Sequence, residues 1–188
     1  MGACESNRHL VDDGVMMLRV LALSLTLFTG FVQATVLQRP ITLDTGTGEL
    51  FGSLLLPKSE QPVPVVLIIS GSGPTDRDGN NPEGGRNDSL KRLAWVLAKH
   101  NIASVRYDKR GVAASLAATP DERNLSVEAY VADAEAWGRK LKADPRFGPL
   151  ILLGHSEGAL IATLAAPSLD AAAVISMSGS ARPVDQVL

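Results

Sequence analysis

Gly154-His155-Ser156-Glu157-Gly158 sets a serine between two glycines, directly after the apolar run Leu150 to Leu153 and before a helix-like segment that reaches Ala166. The spacing suits nucleophilic catalysis. A serine hydroxyl is a weak nucleophile unless it is exposed, activated by a base and set beside donors for a developing oxyanion. A sharp strand-to-helix turn exposes the serine and leaves helix N–H groups free where negative charge will form. Glycines at 154 and 158 leave room for neighbouring backbone to approach. Five-residue patterns recur by chance, so the weight comes from context: strand before, helix after, and alternating elements upstream.

Those elements read as follows. Val36 to Leu43 and Leu50 to Leu56 are two strands joined at Gly46-Thr47-Gly48. Val65-Val66-Leu67-Ile68-Ile69 is short, continuous and β-branched, as a strand buried on both faces must be. A glycine-rich loop runs from Gly71 to Gly85. Leu90, Leu93, Ala94 and Leu97 keep helical spacing behind Asn87 or Asp88 as cap. Ile102 to Tyr107 is a strand, and Asp108 to Thr119 a loop. Ser126 caps a helix whose stripe is Val127, Tyr130, Val131, Ala134, Trp137 and Leu141. Pro167 should stop the helix after Ser156, and Ala172 to Met177 is the last strand. Alternating strands and helices predict an α/β sheet with parallel strands.

Three motifs fall at strand ends: Ser70-Gly71-Ser72-Gly73-Pro74, Arg106-Tyr107-Asp108-Lys109-Arg110-Gly111, and the Ser156 pentapeptide. Their succession resembles the α/β-hydrolase superfamily, especially its bacterial serine aminopeptidase-like and esterase branch, over about residues 36–188. The resemblance implies an α/β-hydrolase fold: a mostly parallel sheet with helices on both faces, here without the last strands and the lid. It implies that Ser156 attacks an ester, thioester or amide carbonyl and forms an acyl-enzyme without metal or organic cofactor. The oxyanion hole would use the backbone N–H of Glu157 and that of Ser72 or Gly73. Gly154, His155 and Gly158 complete the elbow, with the His155 ring packed and hydrogen-bonded in a side pocket.

Two other segments take plainer readings. Asp76-Arg77-Asp78-Gly79-Asn80 superficially matches a calcium loop, but Asn81 stands where glycine is needed and Asn87 where glutamate is needed. Asp108-Lys109-Arg110-Gly111 reads as a structural ion-pair turn. The superfamily usually continues it with a second glycine, which Val112-Ala113-Ala114-Ser115 lacks.

The superfamily's triad follows the order Ser, Asp or Glu, His. After Ser156 the acids are Glu157, Asp170 and Asp185, and no histidine follows. Asp185 is the candidate acid, because it comes after the last strand, where some members place theirs. His100 should lie at the opposite edge of the sheet, and His9 in the leader. The expectation is a truncated hydrolase, weakly active or inactive, acting on a small-molecule ester. Its last strand would be an apolar edge open to pairing. Two alternatives stand: a non-catalytic binding protein of the same fold, and a peptidase or thioesterase.

Composition limits the rest. The chain has 188 residues, 45% hydrophobic and 20% charged, with net charge −2. That excludes disorder and gives no basic surface for nucleic acid. The single cysteine, Cys4, excludes an internal disulfide and a thiolate metal site. Met16-Met17-Leu18-Arg19, the apolar run Val20 to Phe28, and Val32-Gln33-Ala34 form a secretory signal pattern. From Val20 to Val32 the segment has 13 residues, short of the ~20 needed to span a bilayer. Residues 1–34 therefore read as a signal peptide with an over-long N-terminal extension, and 35–188 as a partial α/β-hydrolase domain. The expected location is periplasmic or secreted.

Overall fold

A computed structural model describes residues 36–182 except 120, 122 and 124. The expected leader, 1–34, and Asp185 lie outside the described residues. Among the described residues, six strands form one sheet in the order β1-β2-β4-β3-β5-β6. They are β1 Val36–Asp44, β2 Glu49–Pro57, β3 Val63–Ile69, β4 Ala103–Tyr107, β5 Phe147–His155 and β6 Ala173–Met177. β1 pairs antiparallel with β2, and β2 antiparallel with β4; the β4-β3-β5-β6 run is parallel throughout. The expected mostly parallel sheet is therefore present.

β3 lies in the middle, and its composition explains why. Val65, Leu67 and Ile69 face one apolar cluster, while Val66 and Ile68 face the other. None of the five is more than 1% exposed. Among the described residues, three α-helices cover the two faces: α1 Ser89–Lys99, α2 Val127–Lys142 and α3 Glu157–Leu169. α1 buries Leu90, Ala94 and Ala98 against Val66, Ile68 and Leu153. On the other face, Trp137 and Leu141 of α2 and Ile161 and Ala165 of α3 meet Val65, Leu67, Val105 and Tyr107.

Helix ends show where local rules hold and where packing overrides them. Ser126 caps α2 as expected, its Oγ accepting from Ala129 N–H at 3.2 Å. Asp88 occupies the N-cap of α1 at φ 52, but its carboxylate makes no capping bond. The Asp78 carbonyl accepts from Leu90 and Lys91 N–H instead, at 3.1 and 3.3 Å. Pro167 does not stop α3, which continues to Leu169 and ends at Asp170 in the left-handed region, φ 46. A proline so late in the helix loses only the N–H bond to the carbonyl four residues back. Buried Leu169 holds the last turn: a Cβ at Gly138 of α2 would come within 2.8 Å of its Cδ2.

Among the described residues, β6 pairs only with β5, and Val174 and Ile175 are about 40% exposed (40% and 43%). No described helix is long and apolar enough to cross a membrane.

Candidate active site

β5 and α3 meet at Ser156, whose backbone sits at φ 53, ψ −119. A non-glycine residue in that region is strained by 1–3 kcal/mol as an order of magnitude, and persists only where its surroundings dictate it. The surroundings are visible. Ser156 N–H donates to the Met177 carbonyl at 2.8 Å, and its own carbonyl accepts from Ala159 N–H at 2.9 Å. A Cβ on Gly154 would collide with the Gly158 carbonyl, and one on Gly158 with those of Ile69 and Ser70. Both elbow glycines are thus required by backbone approaching from β3 and the first turn of α3.

The loop after β3 passes against this elbow. A Cβ built on Gly71 would stand 3.3 Å from Ser156 Cβ and 3.1 Å from His155 Nδ1. Hydrogen bonds within the loop hold its course. Ser70 Oγ donates to the Thr75 carbonyl at 3.1 Å, and Thr75 Oγ1 to the Ser72 carbonyl at 3.0 Å. Ser72 and Gly73 are exposed, with Gly73 at φ 66. The structure therefore brings Ser156, His155 and the Gly71 backbone together, with Glu157 next to Ser156 in the chain. His155 differs from expectation in one respect: its half-buried ring faces the Gly71 backbone and has no hydrogen-bond partner among the described residues. His100 ends α1 with Nδ1 2.9 Å from the Val96 carbonyl, at the end of the sheet where β4 begins. No described residue hydrogen-bonds Ser156 Oγ.

The charged turn after β4 is an ion-pair turn, and it also reaches the site. Asp108, 1% exposed, pairs with Arg77 at 2.8 Å and accepts from Ala114 N–H. Arg110 grips Asp133 through two guanidinium nitrogens, and that bond raises its pKa despite opposing burial. Lys109 turns the other way. Its Nζ is 2.6 Å from both Glu157 Oε2 and the Gly71 carbonyl, and lies 4.9 Å from the centre of the Tyr130 ring. Burial, then the nearby Glu157 and Asp133 charges, push the Tyr130 phenol up. Sequence reasoning missed Lys109 as part of the site. The available signal was an acid directly after the nucleophile and a lysine in a turn at a neighbouring strand end.

The missing second glycine also has a structural consequence. Ala113 occupies the left-handed region at φ 44 and begins a 3₁₀ turn to Ala118. Ser115, fully buried, takes the Phe51 N–H on its Oγ at 3.0 Å, tying the turn to β2.

The Asp76 loop binds itself. Its carboxylate accepts from Asp78 N–H, Asn80 N–H and Asn80 Nδ2. Asn80 also donates to Asp88, holding that carboxyl below its ordinary range. Among the described residues no group of three His, Cys, Asp or Glu is placed to hold a metal ion. A cleft of about 430 Å³ opens between Pro74, Asn81, Pro82, Arg86 and Ala113. Pro74 follows β3 and Ala113 follows β4, so the cleft lies at the carboxyl ends of the parallel strands, where such sheets bind ligands.

The sequence model of the family described as "Serine aminopeptidase, S33" matches residues 85–184. Esterase EstD of Thermotoga maritima is 32% identical over 146 residues, covering 77% of this chain and 34% of that protein. The chain thus spans about a third of the length of this curated relative. A lidless α/β serine hydrolase from Xanthomonas campestris superposes with TM-score 0.57 at 26% identity, covering 74% of this chain and 60% of that one. The α/β hydrolase GrgF from Penicillium gives TM-score 0.62 at 20% identity, with coverages of 76% and 46%. The mostly parallel sheet flanked by helices is consistent with these matches, and the chain belongs to the serine aminopeptidase (S33) family of esterase-like α/β hydrolases.

Proposed function

We propose that the protein is a carboxylic ester hydrolase with Ser156 as its nucleophile. One observation carries this reading: Ser156 is held at φ 53, ψ −119 between β5 and α3, with the Gly71 backbone against it. In the first step Ser156 Oγ bonds to the ester carbonyl carbon, and the carbonyl oxygen becomes an oxyanion. The Glu157 and Ser72 N–H groups bind that oxyanion. The bond to the leaving alcohol then breaks, and the alcohol departs with the serine proton. Water reverses the sequence on the acyl-enzyme, releasing the acid and restoring the hydroxyl. The cleft beside Pro74 and Ala113 takes the substrate's organic portion. A relative bearing the name esterase supports an ester over an amide.

No described residue hydrogen-bonds Ser156 Oγ. Asp185 remains the proposed acid. We also place the protein in the periplasm or outside the cell, on the signal pattern that ends at Ala34.

Hydrolysis of short 4-nitrophenyl esters tests the activity, with aminoacyl amides and thioesters as competitors for the class. Ester cleavage that disappears in Ser156→Ala is expected. Equal cleavage by the variant, or cleavage of amides alone, contradicts the assignment.

A further inference from the structure

The oxyanion hole is assembled from two chain segments that share no covalent link nearby, and one buried side chain touches both. Lys109 is 1% exposed, and its Nζ donates to the Gly71 carbonyl and to Glu157 Oε2, each at 2.6 Å. These two acceptors belong to the donor-bearing pieces of the hole. The Gly71 carbonyl is one end of the planar 71–72 peptide, whose other end is the Ser72 N–H. Fixing the carbonyl fixes the direction of that N–H, because C=O and N–H in a trans peptide point oppositely. A positive charge on the carbonyl also polarises the peptide and strengthens its N–H as a donor. Glu157 supplies the second donor through its own N–H, and its carboxylate is anchored by the same ammonium.

We propose that Lys109 is a positioning residue that sets the oxyanion hole from behind by holding the 71–72 peptide and Glu157 in one geometry. A buried ion pair seldom gives much net stability, since desolvation offsets the attraction. Its use here is registry between the β3 loop and the nucleophile turn. The Tyr130 face stacks near Nζ and occupies a further side of it, limiting where the ammonium can move.

This inference rests on Ser156 being the nucleophile, and single-turnover acylation of the full chain by 4-nitrophenyl acetate separates the two claims. The readouts are nitrophenolate release at varied ester concentration, the mass of the Ser156 peptide, and thermal melting of each variant. Lys109→Met should slow Ser156 acylation by about 10- to 100-fold, less than the loss of a whole oxyanion donor. The half-saturating ester concentration should stay unchanged. Glu157→Gln, which keeps an acceptor for Lys109 without the charge, should slow it by a smaller factor and decides the matter if Lys109→Met does not fold. Folded variants that acylate Ser156 at the parent rate, with only their melting temperature lowered, would show a merely structural ion pair and overturn the proposal. A parent chain that is never acylated at Ser156 overturns the nucleophile itself, and the positioning role with it.

Discussion

The Ser156 N–H donates to the Met177 carbonyl at 2.8 Å, which pins the turn between β5 and α3 to the last residue of β6. β6 is therefore a support of the site. Ser156 N–H should exchange with solvent at the slow rate of the β5-β6 ladder, although its side chain is reachable. Amide hydrogen exchange measures this directly. Exchange as fast as an exposed turn would mean that β6 does not hold the elbow.

Ala113 at φ 44 occupies a backbone region that costs an L-residue about 1–2 kcal/mol. Glycine avoids that strain but loses about 0.5–1 kcal/mol through its freer unfolded chain. Ala113→Gly should therefore stabilise the fold by a few tenths to about 1 kcal/mol. The urea midpoint should rise without a change in slope. A lower midpoint would show that the turn does not strain Ala113.

Glycines divide by what a methyl group would meet. Gly46 is at φ 78 with nothing within 4 Å, so Gly46→Ala should cost only the backbone strain less the gain from a stiffer unfolded chain, a few tenths to about 1 kcal/mol. Gly158→Ala would drive a Cβ into the Ile69 carbonyl and within 2.6 Å of the Ser70 carbonyl. It should cost more than Gly46→Ala and displace the elbow from the loop after β3. Comparing the two midpoints together with Ser156 acylation checks both parts.

Asp144 shows the sign of the acid response. The Arg146 guanidinium bonds it at 2.9 and 3.1 Å through Nε and holds its carboxyl below the ordinary 3.8. A carboxyl whose folded pKa is depressed adds stability above the unfolded value and loses it as pH falls through the folded one. The loss therefore falls below about pH 4. Asp144→Asn should flatten that part of the stability curve and leave its slope near neutral pH unchanged. An unaltered acid limb would show that the pair is inert in solution.

Arg110 and Asp133 form the most enclosed pair on the α2 side, with side chains 14% and 4% exposed. Asp133→Ala leaves the Arg110 guanidinium, which also bonds Thr47 Oγ1 and the Ala118 carbonyl, without a counter-charge, and should cost about 3 kcal/mol. Adding Arg110→Ala should recover part of that loss. A double-mutant cycle by chemical denaturation measures the coupling, and simple additivity would contradict it.

Several of these features were readable in the amino-acid order. The β3 run, the Ser126 cap and the Ser156 elbow depend on neighbours a few residues away, where periodicity and turn chemistry operate. Pro167 misled because its outcome is set from a distance, by Leu169 packing against Gly138; Asp88 stands at the expected N-cap, but the distant Asp78 carbonyl, not its carboxylate, takes the helix N–H groups. Lys109 was legible as an ion-pairing residue but not as part of the site. Its partners stand 38 and 48 residues away in the chain and meet it only when β3, β4 and β5 align. Ala113 marks the opposite situation, where the departure from the family pattern was visible and its backbone consequence was not.

The central claim is that Ser156 carries the nucleophile, and covalent labelling tests it most directly. The full chain should be treated with an alkyl fluorophosphonate, digested, and its peptides sequenced by mass spectrometry. One adduct on the peptide containing Ser156, absent in Ser156→Ala, is the predicted result. An adduct on another residue, or equal labelling of the variant, would contradict the account.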